Sequence, residues 1–163
     1  MKKALIVFFA CLALIGTAVA QSANTESSDN SLIKQFTRSS KMDGLVLNFV
    51  LLNAKTVDAL FQAPGKYAMR ATANQATTFY VQGMPEKNIK LDTNFQVEQN
   101  GLKINCKIAN IKNFAQGEVA KGAMINGLIQ LESKLEIGQP FTIVGPSGTA
   151  EFKLTDEALQ MAK

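Results

Sequence analysis

Residues 88–109, NIKLDTNFQVEQNGLKINCKIA, decide the fold that we predict for this chain. Apolar or β-branched residues alternate with polar residues on both sides of the dipeptide Asn100-Gly101. Alternation with a period of two is typical of a strand that buries one face. Asn-Gly readily adopts the positive φ angles of a type I′ turn, which favours a two-residue hairpin loop. The stretch therefore predicts a β-hairpin.

A two-residue loop also fixes which residues of the hairpin face each other. The predicted pairs are Gln99–Leu102, Val97–Ile104, Phe95–Cys106 and Thr93–Ile108. A shift of one residue would turn the apolar set of one strand toward solvent, so the pattern specifies its own register. Because an isolated hairpin is marginally stable in water, the rest of the chain must cover its apolar face.

The first 20 residues have the pattern of a bacterial secretory signal peptide. Lys2 and Lys3 precede an apolar run at 4–15, and Ala18-Val19-Ala20 fits a small-residue cleavage site. The apolar run is shorter than the ~20 residues of a membrane-spanning helix. We therefore predict a signal peptide at residues 1–20, an exported protein that is periplasmic or secreted, and no stable membrane span.

The rest of the chain is predicted to contain a leader and one domain. Residues 21–31 are almost entirely polar, which indicates a disordered leader. Residues 32–163 have the length of a single β-rich domain with its own core. Loss of Lys2 and Lys3 lowers the net charge from +4 to +2, so the basic composition does not indicate a nucleic-acid partner.

Alternating segments and turn signals predict roughly seven to nine short strands in this domain. Besides the hairpin, the predicted strands lie at 45–52, 67–71, 77–82, 129–137, 141–144 and 150–154. Short helices are predicted near 56–62 and 156–162, the second capped by Thr155. This pattern favours a mainly β fold, an antiparallel β-sandwich or a small barrel. An outer-membrane barrel is disfavoured because the strands are short and the aromatic residues are not paired at strand ends.

The composition argues against the commonest enzyme classes. The chain has no histidine, which removes the usual general base and the usual metal ligand. One cysteine after residue 20 provides neither a zinc site nor a Cys–His nucleophile. Residues 145–148, GPSG, lie between two strands and do not form a nucleophile elbow. We therefore predict a protein that is not an enzyme, with no catalytic, cofactor-binding or metal-binding residues and no cofactor.

Cys106 has two interpretations. It lies on the apolar face of the predicted hairpin, which favours a small buried core residue. The alternative is a reactive or dimer-forming thiol, which needs exposure and a nearby base or cation.

Two functions remain open. The first is a small exported β-domain that binds another protein, as an accessory, adaptor or inhibitor, and strand edges suit such binding. The second is a carrier of a small apolar ligand, suggested by apolar strand faces and by methionines near predicted loops. No binding residue is identified, and the most mixed polar face of the hairpin is only a candidate. That face consists of Lys90, Asp92, Lys103, Asn105 and Lys107.

Overall fold

The computed structural model of the chain describes residues 25–42 and 44–162. The predicted signal peptide, residues 1–20, lies outside this part of the chain. The helices are α1 (Thr25–Gln35), α2 (Ala54–Leu60), α3 (Gly65–Gln75) and α4 (Asp156–Met161). The strands are β1 (Thr37–Met42), β2 (Leu45–Leu51), β3 (Thr78–Pro85), β4 (Ile89–Leu91), β5 (Gln96–Gln99), β6 (Leu102–Lys112), β7 (Gly117–Val119), β8 (Ile125–Leu131), β9 (Phe141–Val144) and β10 (Thr149–Phe152).

Eight of these strands form one antiparallel sheet that is nearly closed into a barrel. The strand order is β1-β2-β3-β8-β6-β5-β9-β10, and β4 pairs with β7 in a separate two-stranded sheet. Strands β1 and β10 lie side by side along a seam, where no ladder joins them in the described part of the chain. The prediction of a mainly antiparallel β fold is confirmed. Of the two predicted architectures, the sandwich and the small barrel, the nearly closed sheet corresponds to the barrel.

Aromatic side chains fill the interior of the barrel. The Phe141 and Phe152 rings stack with centroids 4.9 Å apart, and Phe79 packs on both. A second group is centred on Phe95, which contacts Phe49 edge-on and stacks on Phe114. Ring pairs in these geometries are stabilising beyond the area that they bury.

A helical layer covers part of the outer face of the sheet. Helices α2 and α3 pack there, and Phe61 meets Tyr80 edge-on with centroids 5.2 Å apart. Asn53 caps α2 by accepting from the backbone N–H groups of Lys55 and Thr56. This layer gives the sheet a second, smaller apolar cluster outside the barrel.

Only the half of the predicted hairpin next to the turn forms a hydrogen-bonded ladder. Asn100 and Gly101 adopt φ angles of 53° and 76°, and Gln96–Gln99 pairs with residues 102–105 in the predicted register. The predicted pairs Phe95–Cys106 and Thr93–Ile108 do not form, and that part of the prediction is wrong. Residues 92–95 turn away, because the Asp92 carboxylate accepts from the Asn94 N–H at 2.9 Å. Side chains of this type compete with the ladder for backbone groups.

Three other predictions need correction. Residues 67–71 lie in α3 rather than in a strand, because Pro64 precedes a helix instead of ending one. Strand β8 runs from Ile125 to Leu131, so the alternation at 132–137 does not form a strand. Helix α1 begins at Thr25 and therefore includes part of the stretch predicted as a disordered leader.

Four further strands and two helices agree with the prediction. Strands β2, β3, β9 and β10 overlap the predicted segments, and α2 and α4 overlap the two predicted helices. Thr155 caps α4, its hydroxyl accepting from the Ala158 N–H at 3.2 Å.

Candidate protein-binding surface

The barrel interior is occupied by protein side chains. Six phenylalanines less than 2% exposed lie among the described residues: Phe36, Phe49, Phe79, Phe114, Phe141 and Phe152. One end of the barrel carries a cavity of about 40 Å³ between Met42, Ile89 and Phe95. Pockets for small ligands usually have about 300–1,000 Å³. A cavity of this size accommodates a few water molecules and not an apolar ligand.

Three rows of side chains cross the outer face of β2, β3 and β8. The rows are Val50–Tyr80–Leu128, Asn48–Gln82–Asn126 and Val46–Met84–Met124. The first row lies beneath the helices and its members are 2–7% exposed. The third row lies beyond the helical layer and its members are 42–53% exposed. The helices thus cover one end of this sheet face and leave the other end open.

We call the third row, Val46, Met84 and Met124, the methionine row. Val46 and Met84 are direct cross-strand partners. Met124 immediately precedes Ile125, the partner of Gly83, and therefore lies at the β8 end of the same row. Three adjacent apolar side chains about half exposed differ from the scattered surface apolar residues that any protein has.

One cation stands at the end of the methionine row, and a second stands at the end of the middle row beside it. Lys41 on β1 pairs directly with Val46, and Lys112 on β6 pairs with Asn126, next to Met124. Both lysines are exposed, and no acidic residue occurs in the three rows or at their two ends. The surface is therefore apolar at its centre and positive at its margins.

The middle row supplies amide groups beside the methionine row. The Ser39 hydroxyl donates to the Asn48 Oδ1 at 2.6 Å, and the Gln82 Nε2 donates to the Tyr80 hydroxyl at 3.1 Å. Asn126 is 4% exposed, and its Oδ1 accepts no hydrogen bond from the described residues. A buried amide oxygen without a donor is energetically unfavourable.

The polar face named from the sequence is split by the structure. Lys90 lies opposite Glu118 in the two-stranded sheet, and Asp92 lies in the turn that follows β4. Lys103, Asn105 and Lys107 share the exposed outer face of β6. All five residues of this face are exposed, but they form two separate surfaces instead of one.

Cys106 is a partly buried thiol that packs against the barrel core. Burial raises the pKa of the Cys106 thiol to about 11. The protonated thiol is therefore the dominant form at neutral pH, and the thiolate is the reactive form. This environment favours the interpretation of Cys106 as a structural residue.

The charged cluster on the helices has a structural role. The Arg70 guanidinium donates to both carboxylate oxygens of Asp58, and Lys66 lies 3.1 Å from the same carboxylate. The hydrogen bonds from Arg70 hold the pKa of Asp58 below its ordinary value. These contacts join α2 to α3, the two helices that cover the first row.

The described part of the chain lacks two further features, a cluster of metal ligands and a membrane-spanning helix. Among residues 25–42 and 44–162, no three histidine, cysteine, aspartate or glutamate side chains converge as a metal site would require. No described helix combines the length and the apolar character needed to cross a membrane.

Sequence reasoning missed the methionine row. Met84 and Met124 are among the methionines near predicted loops, but their side-by-side position depends on the pairing of β3 with β8, two strands that are distant in the chain. The alternation around Val46 was obscured because the other end of β2 is buried on both faces. Comparisons with protein-family models, curated proteins and solved structures find no match.

Proposed function

We propose that the chain is a small exported, non-enzymatic β-domain that binds another protein, in the cell envelope or outside the cell, through the methionine row. The observation that carries this proposal is the exposure of Val46, Met84 and Met124 where the helical layer ends. Methionine side chains adapt to varied apolar surfaces, which suits a docking surface. The signal-peptide pattern at residues 1–20 supports export.

The surface also limits the chemistry of the partner. An apolar segment would cover the methionine row, and acidic side chains beside that segment would meet Lys41 and Lys112. The charges would guide the encounter and orient the partner more than they would raise its affinity. The filled interior supports protein binding over the carriage of a small apolar ligand.

Co-purification from the native envelope tests this proposal when two matched variants are compared. Met84→Glu places a charge in the centre of the methionine row, and Tyr67→Glu places one on α3 at a residue that is 68% exposed. Loss of one buried methionine contact corresponds to a decrease in affinity of about tenfold or more. We expect Met84→Glu to lose the partner and Tyr67→Glu to retain it. Equal recovery with both variants would overturn the proposal.

A further inference from the structure

Strand β6 has an open edge in the wall of the barrel. Its first part, residues 102–105, pairs with β5, and its second part, residues 106–112, pairs with β8. On the side away from β8, the second part has no neighbouring strand among the described residues. The gap exists because residues 92–95 leave the hairpin.

The backbone groups that face the gap follow from the pairing. Asn105 directs its carbonyl oxygen toward β8, where it accepts from the Glu132 N–H at 3.3 Å. Successive residues of a strand direct their backbone groups to opposite sides, so those of Cys106 and Ile108 face the gap. Phe95, the predicted partner of Cys106, donates its N–H to the Thr93 carbonyl at 3.0 Å instead. The open edge therefore offers two N–H groups and two carbonyls in ladder geometry.

The side chains of the open edge define what fits beside it. Ile104, Cys106 and Ile108 point toward the core but are only partly buried, and the wall is missing next to Cys106 and Ile108. On the outer face, Lys103 and Lys107 are exposed, and Lys103 lies 3.5 Å from Glu98. A strand placed here would bury apolar side chains against Ile108 and present its outward side chains to lysine.

We propose that the open edge of β6 binds an extended segment of another protein by antiparallel strand addition, with apolar residues inward and acidic residues outward. Backbone hydrogen bonds give such complexes their affinity, and alternate side chains give them specificity. This surface lies apart from the methionine row, so the inference goes beyond the proposed function and does not depend on it.

The test uses a synthetic peptide with alternating glutamate and valine, acetylated and amidated at its ends, and the purified protein. In antiparallel pairing, the valine N–H groups donate to β6 and the glutamate N–H groups point away. We expect the peptide to slow hydrogen exchange at the Cys106 and Ile108 amides. N-methylation of the valines should abolish binding, whereas N-methylation of the glutamates should preserve it. No protection, or equal binding by both methylated peptides, would overturn the proposal.

Three variants separate this surface from the rest of the molecule. Lys107→Glu should weaken binding of the peptide about threefold or more, in the range of an exposed ion pair. Lys55→Glu, an equivalent change on α2, should leave binding unchanged. Met84→Glu should also leave peptide binding unchanged, which distinguishes failure at the open edge from failure at the methionine row. Peptide binding that is insensitive to Lys107→Glu would contradict the proposal that the added strand directs its acidic residues outward.

Discussion

The guanidinium of Arg38 lies over the ring of Phe152, 5.6 Å from the ring centroid, and so joins the first strand of the sheet to the last. The Nη2 of Arg38 also donates to the Lys153 carbonyl at 2.9 Å, across the seam. Its Nη1 donates to the carbonyls of Thr37 and Gln35, which fix the side chain on its own strand. Because no ladder joins β1 to β10 in the described chain, the Arg38 side chain provides a polar bridge across the seam.

Arg38→Ala should therefore destabilise the barrel. A cation–π contact and a hydrogen bond from a charged donor each contribute about 1 kcal/mol or more. We expect the free energy of unfolding in urea to fall by about 2 kcal/mol. Arg38→Lys is the matched control, since it keeps the charge but loses the planar donor geometry, and it should have an intermediate effect. An Arg38→Ala variant as stable as the original protein would show that the seam needs no bridge.

Gly127 makes room for the Phe114 ring inside the barrel. A Cβ atom on residue 127 would overlap that ring, which is fully buried. Gly127→Ala should lower the free energy of unfolding by about 1–3 kcal/mol, the usual effect of overpacking. Gly138→Ala is the control, because a Cβ there meets no atom within 4 Å. The two variants should differ clearly in thermal unfolding, and equal midpoints would contradict this packing.

The Gln99 side chain hydrogen-bonds to the backbone of residues 132–139, as a neighbouring strand would do. Its Nε2 donates to the Glu136 carbonyl at 3.0 Å, and its Oε1 accepts from the Glu136 N–H at 3.1 Å. Gln99→Leu should lower the free energy of unfolding by about 1–3 kcal/mol, since both backbone groups lose their partner. Gln96→Leu, a partly buried position on the same strand, should have a smaller effect in the same urea titration. Equal losses in the two variants would argue against a special role for Gln99.

The raised pKa of Cys106 predicts a change of stability at alkaline pH. The Cys106 thiol has a pKa of about 11 in the folded state and a lower pKa in the unfolded state. As the pH rises, the unfolded state therefore loses this proton before the folded state does, which favours unfolding. Its contribution is therefore complete below about pH 8.5 and is lost as the pH rises through 11. Cys106→Ser should lose this part of the pH dependence while keeping the part that comes from Tyr80, whose pKa burial also raises. An unchanged profile in Cys106→Ser would contradict the assignment, as would rapid alkylation of the folded protein at pH 7.

Local signals in the sequence specified the turn of the hairpin and the start of the last helix. Asn100-Gly101 specified its turn and the first pairs of the hairpin because both depend on adjacent residues. Thr155 likewise specified the start of α4. The alternation around Leu135 predicted a strand that does not form. The Leu135 N–H donates to the Thr77 hydroxyl, 58 residues away, instead of to a neighbouring strand.

The candidate surface could not be predicted in the same way. Whether Val46 is covered depends on where α2 and α3 end on the sheet, which is a matter of tertiary packing. The open edge of β6 depends on a hydrogen bond from the Asn94 N–H to Asp92, a competition that period-two alternation does not reveal. The sequence did contain one usable signal, the pair Asp92 and Asn94, since both residue types favour turns over strands.

The most direct test of the account is site-specific photocrosslinking in the native envelope. A photoreactive amino acid would replace Met84 in the methionine row, and in a second protein it would replace Tyr67 on α3. Both positions are more than half exposed, so access to the crosslinker is comparable. The account predicts that position 84 gives one discrete crosslinked product, which contains a different protein. This product should disappear when Lys41→Glu and Lys112→Glu are added. Position 67 should give no product. The same products from both positions, or a product from position 84 containing only a second copy of this chain, would contradict it.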